Sequence, residues 1–122
     1  MESPYKGKTG FRRLFNALNY SISGIKEAYR NEDAFRQEVI LAAFLLPIAL
    51  WVNVAAIGRA MMIGSVLLLL IVELLNSAIE ATVDRISLDD HRLAKRAKDI
   101  GSAAVLITIV NLMLVWLLVL LG

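Results

Sequence analysis

A chain of 122 residues is the size of one domain, but 58% apolar residues and a mean hydropathy of +0.66 are more hydrocarbon than a single soluble core of that size encloses. The absence of cysteine excludes a disulfide framework, a thiolate metal site and a cysteine nucleophile. Thirteen Lys/Arg against eleven Asp/Glu give a net charge of +2, a mildly basic balance that suits anionic lipid headgroups as readily as nucleic acid.

Residues 1–9 hold Pro4 and Gly7 but no continuous apolar run, so no cleavable secretory signal is expected. From Phe11 the apolar side chains Phe11, Leu14, Phe15, Leu18, Ile22, Ile25 and Tyr29 recur at steps of three and four, the stripe of an amphipathic helix over about 10–30. Arg12, Arg13, Asn16, Asn19, Ser23, Lys26, Glu27 and Arg30 fill the other side. In so apolar a chain this reads as a helix lying along a membrane surface, with packing on a soluble core as the plainer alternative. Gly24 is a candidate break within it. Asn31 before Glu32 and Asp33 predicts an N-cap and an acidic first turn, opening a first span over about 34–53 that tolerates Pro47. The apolar run 39–57 is interrupted only by Pro47 and Asn53, and a connection is expected around 53–59. A second span follows over about 60–83 and a third over about 100–121. The expected fold is therefore an all-α membrane protein, a single membrane domain over 1–122 with one surface helix and three transmembrane helices. There is no internal repeat and no long linker.

Seven Lys/Arg lie at or before Arg36 in the opening turn of the first span, five lie between the second and third, and Arg59 alone falls in the first loop. The positive-inside rule then places the N-terminus and the 84–99 segment in the cytoplasm and the C-terminus outside.

The second span carries Glu73, Asn76, Ser77, Glu80 and Asp84 at offsets 0, 3, 4, 7 and 11, all on one helical face. An ionised carboxylate in hydrocarbon costs roughly 2.5 to 3.5 kcal/mol even on lenient insertion scales, so this face must meet a protein interior, a polar pocket or a cation. Counted from residue 60, Glu73 lies roughly 10 Å inside the cytoplasmic boundary and Glu80 close to it. Glu32, at the same interface, together with Glu80 is a candidate oxygen-ligand pair for a hard divalent cation. The plainer readings are an interhelical hydrogen-bonded carboxyl for Glu73 and solvated acids for Glu80, Asp84, Asp89 and Asp90. His91, Arg92, Lys95 and Arg96 divide between nucleotide contact and headgroup attraction, the latter favoured for Arg92, Lys95 and Arg96. Lys98 and Asp99, beside Gly101 and Ser102 at the mouth of the third span, are placed to meet the carboxylate stripe across a helix interface. The phosphate-binding, protein-kinase, serine-hydrolase and zinc-protease motifs are all missing.

These residues resemble the small integral-membrane prokaryotic diacylglycerol kinases. The likeness rests on Asn31-Glu32 with Ala34-Phe35-Arg36-Gln37-Glu38. It continues in Val72-Glu73-Leu74-Leu75-Asn76-Ser77-Ala78-Ile79-Glu80-Ala81 with Val83-Asp84-Arg85-Ile86, and in Arg96-Ala97-Lys98-Asp99 with Gly101-Ser102-Ala103-Ala104-Val105. Gly10-Phe11, Arg13 and Tyr20-Ser21 extend it into the first helix. The resemblance implies ATP-dependent, magnesium-requiring phosphorylation of the primary hydroxyl of diacylglycerol to phosphatidic acid. It also implies a homotrimer in the bacterial inner membrane, active sites between subunits, and no nucleic-acid partner. By resemblance Glu73 is the general base, and Glu32 and Glu80 are the metal carboxylates. Arg13, Tyr20, Glu32, Glu80, Asp89, His91, Lys98 and Asp99 meet the nucleotide; Asp90 stands where the family carries an aromatic residue. Arg13, Arg36, Gln37, Glu38, Trp51, Glu73 and Ser102 meet the lipid, with Asn76 and Asp84 in support. Two other kinds of function fit the residues: a polyprenol kinase of the same family, and a carboxylate-lined oligomeric proton or ion relay. A structural scaffold is a third.

Overall fold

The computed structural model describes residues 10–86 and 92–122, so Asp89, Asp90 and His91 lie outside the described residues. Four helices occupy them: α1 Phe11–Asn31, α2 Asp33–Trp51, α3 Ala56–Ile86 and α4 Arg92–Leu121.

Helix α1 starts after Gly10, whose φ of 72° is a backbone state that glycine adopts without strain. It runs unbroken through Gly24, the candidate break: one glycine costs a helix only about 1 kcal/mol, too little to interrupt a stripe of this length. The expected Asn31 cap is corrected. Asn31 is the last residue of α1, and its Nδ2 donates back to Glu27 O and Glu27 Oε2, both at 2.9 Å. The amide is thereby turned back along α1 rather than forward to the next helix. The N-cap position of α2 falls instead on Glu32, in extended backbone at φ −116° and ψ 111°. Arg36 then clasps the corner. Its Nη1 donates to Tyr29 O and Arg30 O at 2.8 Å each, satisfying carbonyls that the end of α1 leaves unpaired, and its Nη2 pairs with Asp33.

Helix α2 stops at Trp51 because Val52 turns extended, and the connection to α3 is residues 52–55, shorter than the 53–59 expected. Arg59 explains its isolation on this side of the molecule. It reaches back to the C-terminal end of α2, where Nη1 donates to Ala49 O at 2.7 Å and Leu50 O at 2.8 Å.

Helix α3 is the centre, packing on α2 and α4, with α1 touching α2 and α3. Its buried residues Met62, Ser65, Val66, Leu69, Glu73 and Asn76 recur at threes and fours, the seam of side chains interlocking between helices. Ala42 and Ala49 of α2 and Leu112 and Trp116 of α4 complete that core. Trp116 Nε1 donates to Met62 O at 3.2 Å and Ser65 Oγ at 3.1 Å, tying α4 to α3. A Cβ at Gly58 would stand 2.9 Å from Val119 Cγ1, so the helices approach closely at this end.

Helices α2, α3 and α4, of 19, 31 and 30 residues, are each long and apolar enough to cross a membrane. Large apolar side chains such as Phe44, Ile107 and Leu118 point outward and are exposed, a surface suited to lipid or to further protein rather than to water.

A carboxylate cleft at one end of the bundle

Glu32, Ala34, Glu73, Asn76, Glu80, Ser102 and Val105 line a cleft of about 270 Å³, to which three parts of the chain contribute. Glu32 comes from the α1–α2 corner. Its backbone N–H donates to Ala28 O at 2.9 Å and its carbonyl accepts from Arg36 N at 3.1 Å, while its side chain makes no capping bond and is left to the cleft. Glu73, Asn76 and Glu80 come from one face of α3, as their offsets of 0, 3 and 7 dictate. Ser102 and Val105 come from α4, which can lie this near because residue 101 is glycine: a Cβ there would collide with Asn76 Oδ1.

Glu73 is 4% exposed and Asn76 8%. Glu73 Oε2 and Asn76 Oδ1 are buried without a hydrogen-bond partner among the described residues, as are Ser77 Oγ and Glu38 Oε2. A buried polar group left unsatisfied costs about 1 to 3 kcal/mol, and three carboxylates around one space repel each other unless a cation or protons intervene. The cleft therefore has unsatisfied acceptors that a cation or a proton donor could meet. Its donors are all hard oxygens, the chemistry of magnesium. Among the described residues no group of three or more metal-binding side chains is assembled; Glu32 and Glu80 could hold a hard cation only together with oxygens from a ligand or water. Magnesium commonly binds in this way, through one or two carboxylates plus substrate phosphates.

The remaining predicted residues fall around this centre. Asp84 joins Lys98 Nζ across the α3–α4 interface at 2.6 Å, and that hydrogen bond raises the Lys98 ammonium above its ordinary range; Lys98 stands in the charged turns before the apolar stretch 100–121. Asp99 points elsewhere. It pairs with Lys95 at 2.7 Å and lines a separate groove with Arg92 and Arg96. Arg13 and Tyr20 sit exposed on α1, outside the cleft lining. Arg36 is held by the corner, Gln37 is exposed, and Glu38 is half-buried. Trp51 is 92% exposed at the other end of α2, about 25 Å along the helix from Ala34. Sequence reasoning did not single out Ala34 and Val105 as lining residues. Val105 was within reach of it, three residues beyond Ser102 and so on the same face.

The family model for prokaryotic diacylglycerol kinase matches residues 19–120. The chain is 52% identical over 120 residues to a diacylglycerol kinase of Pseudomonas aeruginosa, covering 98% of each chain. It is 51% identical over 112 residues to the diacylglycerol kinase of Escherichia coli K12, covering 92% of each, and 45% identical over 115 residues to that of Helicobacter pylori 26695, covering 94% of this chain and 89% of the relative. With a family match across most of its length and relatives of this identity, the chain belongs to the prokaryotic diacylglycerol kinases.

Proposed function

We propose that this protein is a membrane-embedded diacylglycerol kinase. The primary hydroxyl oxygen of diacylglycerol attacks the γ-phosphorus of ATP, the bond to the β–γ bridging oxygen breaks, and phosphatidic acid and ADP leave. The observation that carries this reading is the Glu73 carboxylate, buried with an unpartnered oxygen beside Asn76 in a cleft that also holds Glu32 and Glu80.

Glu73 takes the hydroxyl proton as the oxygen attacks, and Asn76 holds the hydroxyl or the carboxylate in register. Glu32 and Glu80 are the residues that would hold magnesium, which when bound neutralises phosphate charge. Phosphoryl transfer asks mainly for that neutralisation and for orientation of the attacking group. Lys98, anchored by Asp84, faces the nucleotide, with Arg13, Tyr20, Asp89 and His91 as its other contacts, while Asp99 is turned to Lys95. Arg36, Gln37, Glu38, Trp51 and Ser102 meet the lipid. In this reading α1 lies on the cytoplasmic surface of the inner membrane, three chains form the homotrimer, and neighbouring subunits complete each site.

The packing beyond Glu73 disfavours a transmembrane relay. Leu69, Val66 and Met62 fill the α3 seam, and the Ser65 hydroxyl there is engaged with Met62 O at 2.7 Å and with Trp116. Incubating purified protein with γ-labelled ATP and a series of lipid alcohols tests the proposal. Label on diacylglycerol is expected; label on a polyprenol alone, or ion flux without lipid labelling, would overturn it.

A further inference from the structure

Arg92, Lys95, Arg96, Asp99, Ile100 and Ala103 line a second, shallower groove of about 360 Å³. Their spacing of 0, 3, 4, 7, 8 and 11 keeps them on one face of α4. Three cations and one carboxylate leave the groove with two net positive charges, and the Lys95–Asp99 pair neutralises itself, so Arg92 and Arg96 carry the excess. The same face runs on without interruption into Leu106, Ile107 and Val110, all exposed. Cationic side chains therefore stand directly above an exposed apolar track, at the point where α4 passes from its charged turns into its apolar stretch.

We infer that this face of α4 binds an anionic phospholipid, with Arg92 and Arg96 on the headgroup phosphate and the acyl chains lying along Ile100, Ala103 and Ile107. Arginine suits the role because its planar fork meets phosphate oxygens bidentately. The apolar track distinguishes a lipid from free phosphate or nucleotide, which have no chain to lay on it. Sequence reading favoured diffuse headgroup attraction for these residues; the groove and the continuous track localise it. The inference does not rest on the kinase reading, and its test measures binding alone.

The experiment reconstitutes the full chain in phosphatidylcholine vesicles and uses electron paramagnetic resonance to compare immobilised spin-labelled phosphatidylglycerol with spin-labelled phosphatidylcholine. Wild type is expected to select the anionic lipid. Arg92→Gln with Arg96→Gln lowers that selectivity by about fivefold per arginine removed, whereas Arg92→Lys with Arg96→Lys keeps part of it. The control Lys26→Gln with Arg30→Gln removes the same charge from α1 and costs clearly less of the selectivity, since only diffuse attraction is lost there. Glycerol phosphate does not compete. Equal loss in the control pair would reduce the effect to diffuse attraction and overturn the site. Competition by glycerol phosphate or ATP would overturn it in favour of a soluble phosphate site.

Discussion

Gly101 and Asn76 mark how closely the α3–α4 interface is drawn over the reactive end of the cleft. With Asn76 Oδ1 standing where a Cβ would go, Gly101→Ala forces the amide aside. We expect a loss of about 1 to 3 kcal/mol of stability from overpacking and a fall in kcat, both seen in one purified variant. Because the clash is with one side chain, Gly101→Ala combined with Asn76→Ala restores stability relative to Gly101→Ala without restoring kcat; a double-mutant cycle with no coupling would disprove the contact. At this scale the carboxylate stripe was legible in sequence, since a period of 3.6 is enough to align Glu73, Asn76 and Glu80. The split between Lys98 and Asp99 was not: adjacent residues on a helix point about 100° apart, and nothing in the sequence says which of the two faces α3. Structure turns Lys98 to Asp84 and Asp99 to Lys95.

At the scale of elements, two arginines close the ends of helices that capping side chains leave open. Arg59 donates to carbonyls at the end of α2, so Arg59→Gln should lower unfolding stability by about 1 to 3 kcal/mol, the cost of leaving such acceptors unpaired, while the KM for ATP is unchanged. Unaltered stability in denaturant would remove its role as a clasp. Arg36 does the same for α1 while fixing the corner that delivers Glu32, and Arg36→Ala is expected to raise the magnesium concentration needed for half-maximal activity as Glu32 loses its fixed approach. These long-range closures explain why the sequence reading missed the corner. Asn31 has the composition of an N-cap, but its side chain finds Glu27 one turn back, and the cap position shifts by one residue to Glu32. The long apolar helices were legible because hydropathy alone marks them. Gly24 was ambiguous because its propensity penalty is small beside the length of α1.

For the whole molecule, the distribution of charge and the position of the cleft belong together. Arg59 stands in the first turn of α3, and Glu32, Glu80 and Lys98 gather at the opposite end of the bundle, the end that the proposed function turns toward the nucleotide. A chain without cysteine allows a clean test of that orientation. Introduced singly, Asn53→Cys and Leu121→Cys should react with a membrane-impermeant maleimide in intact cells, and Lys26→Cys only after permeabilisation; the reverse pattern would invert the assignment. Removing magnesium with a chelator should abolish turnover and adding it back should restore it, because in the proposed site Glu32 and Glu80 would repel phosphate oxygens without a cation between them.

In the proposed reaction Glu73 takes a proton from a lipid hydroxyl held in the cleft. The most direct test of that step is the rate of label transfer from ATP to diacylglycerol by Glu73→Gln, an isosteric change that keeps the packing and removes the base. A loss of at least about 100-fold in kcat is expected, with the KM for ATP and thermal stability near wild type. A variant that folds, binds nucleotide and still turns over at a comparable rate would contradict it.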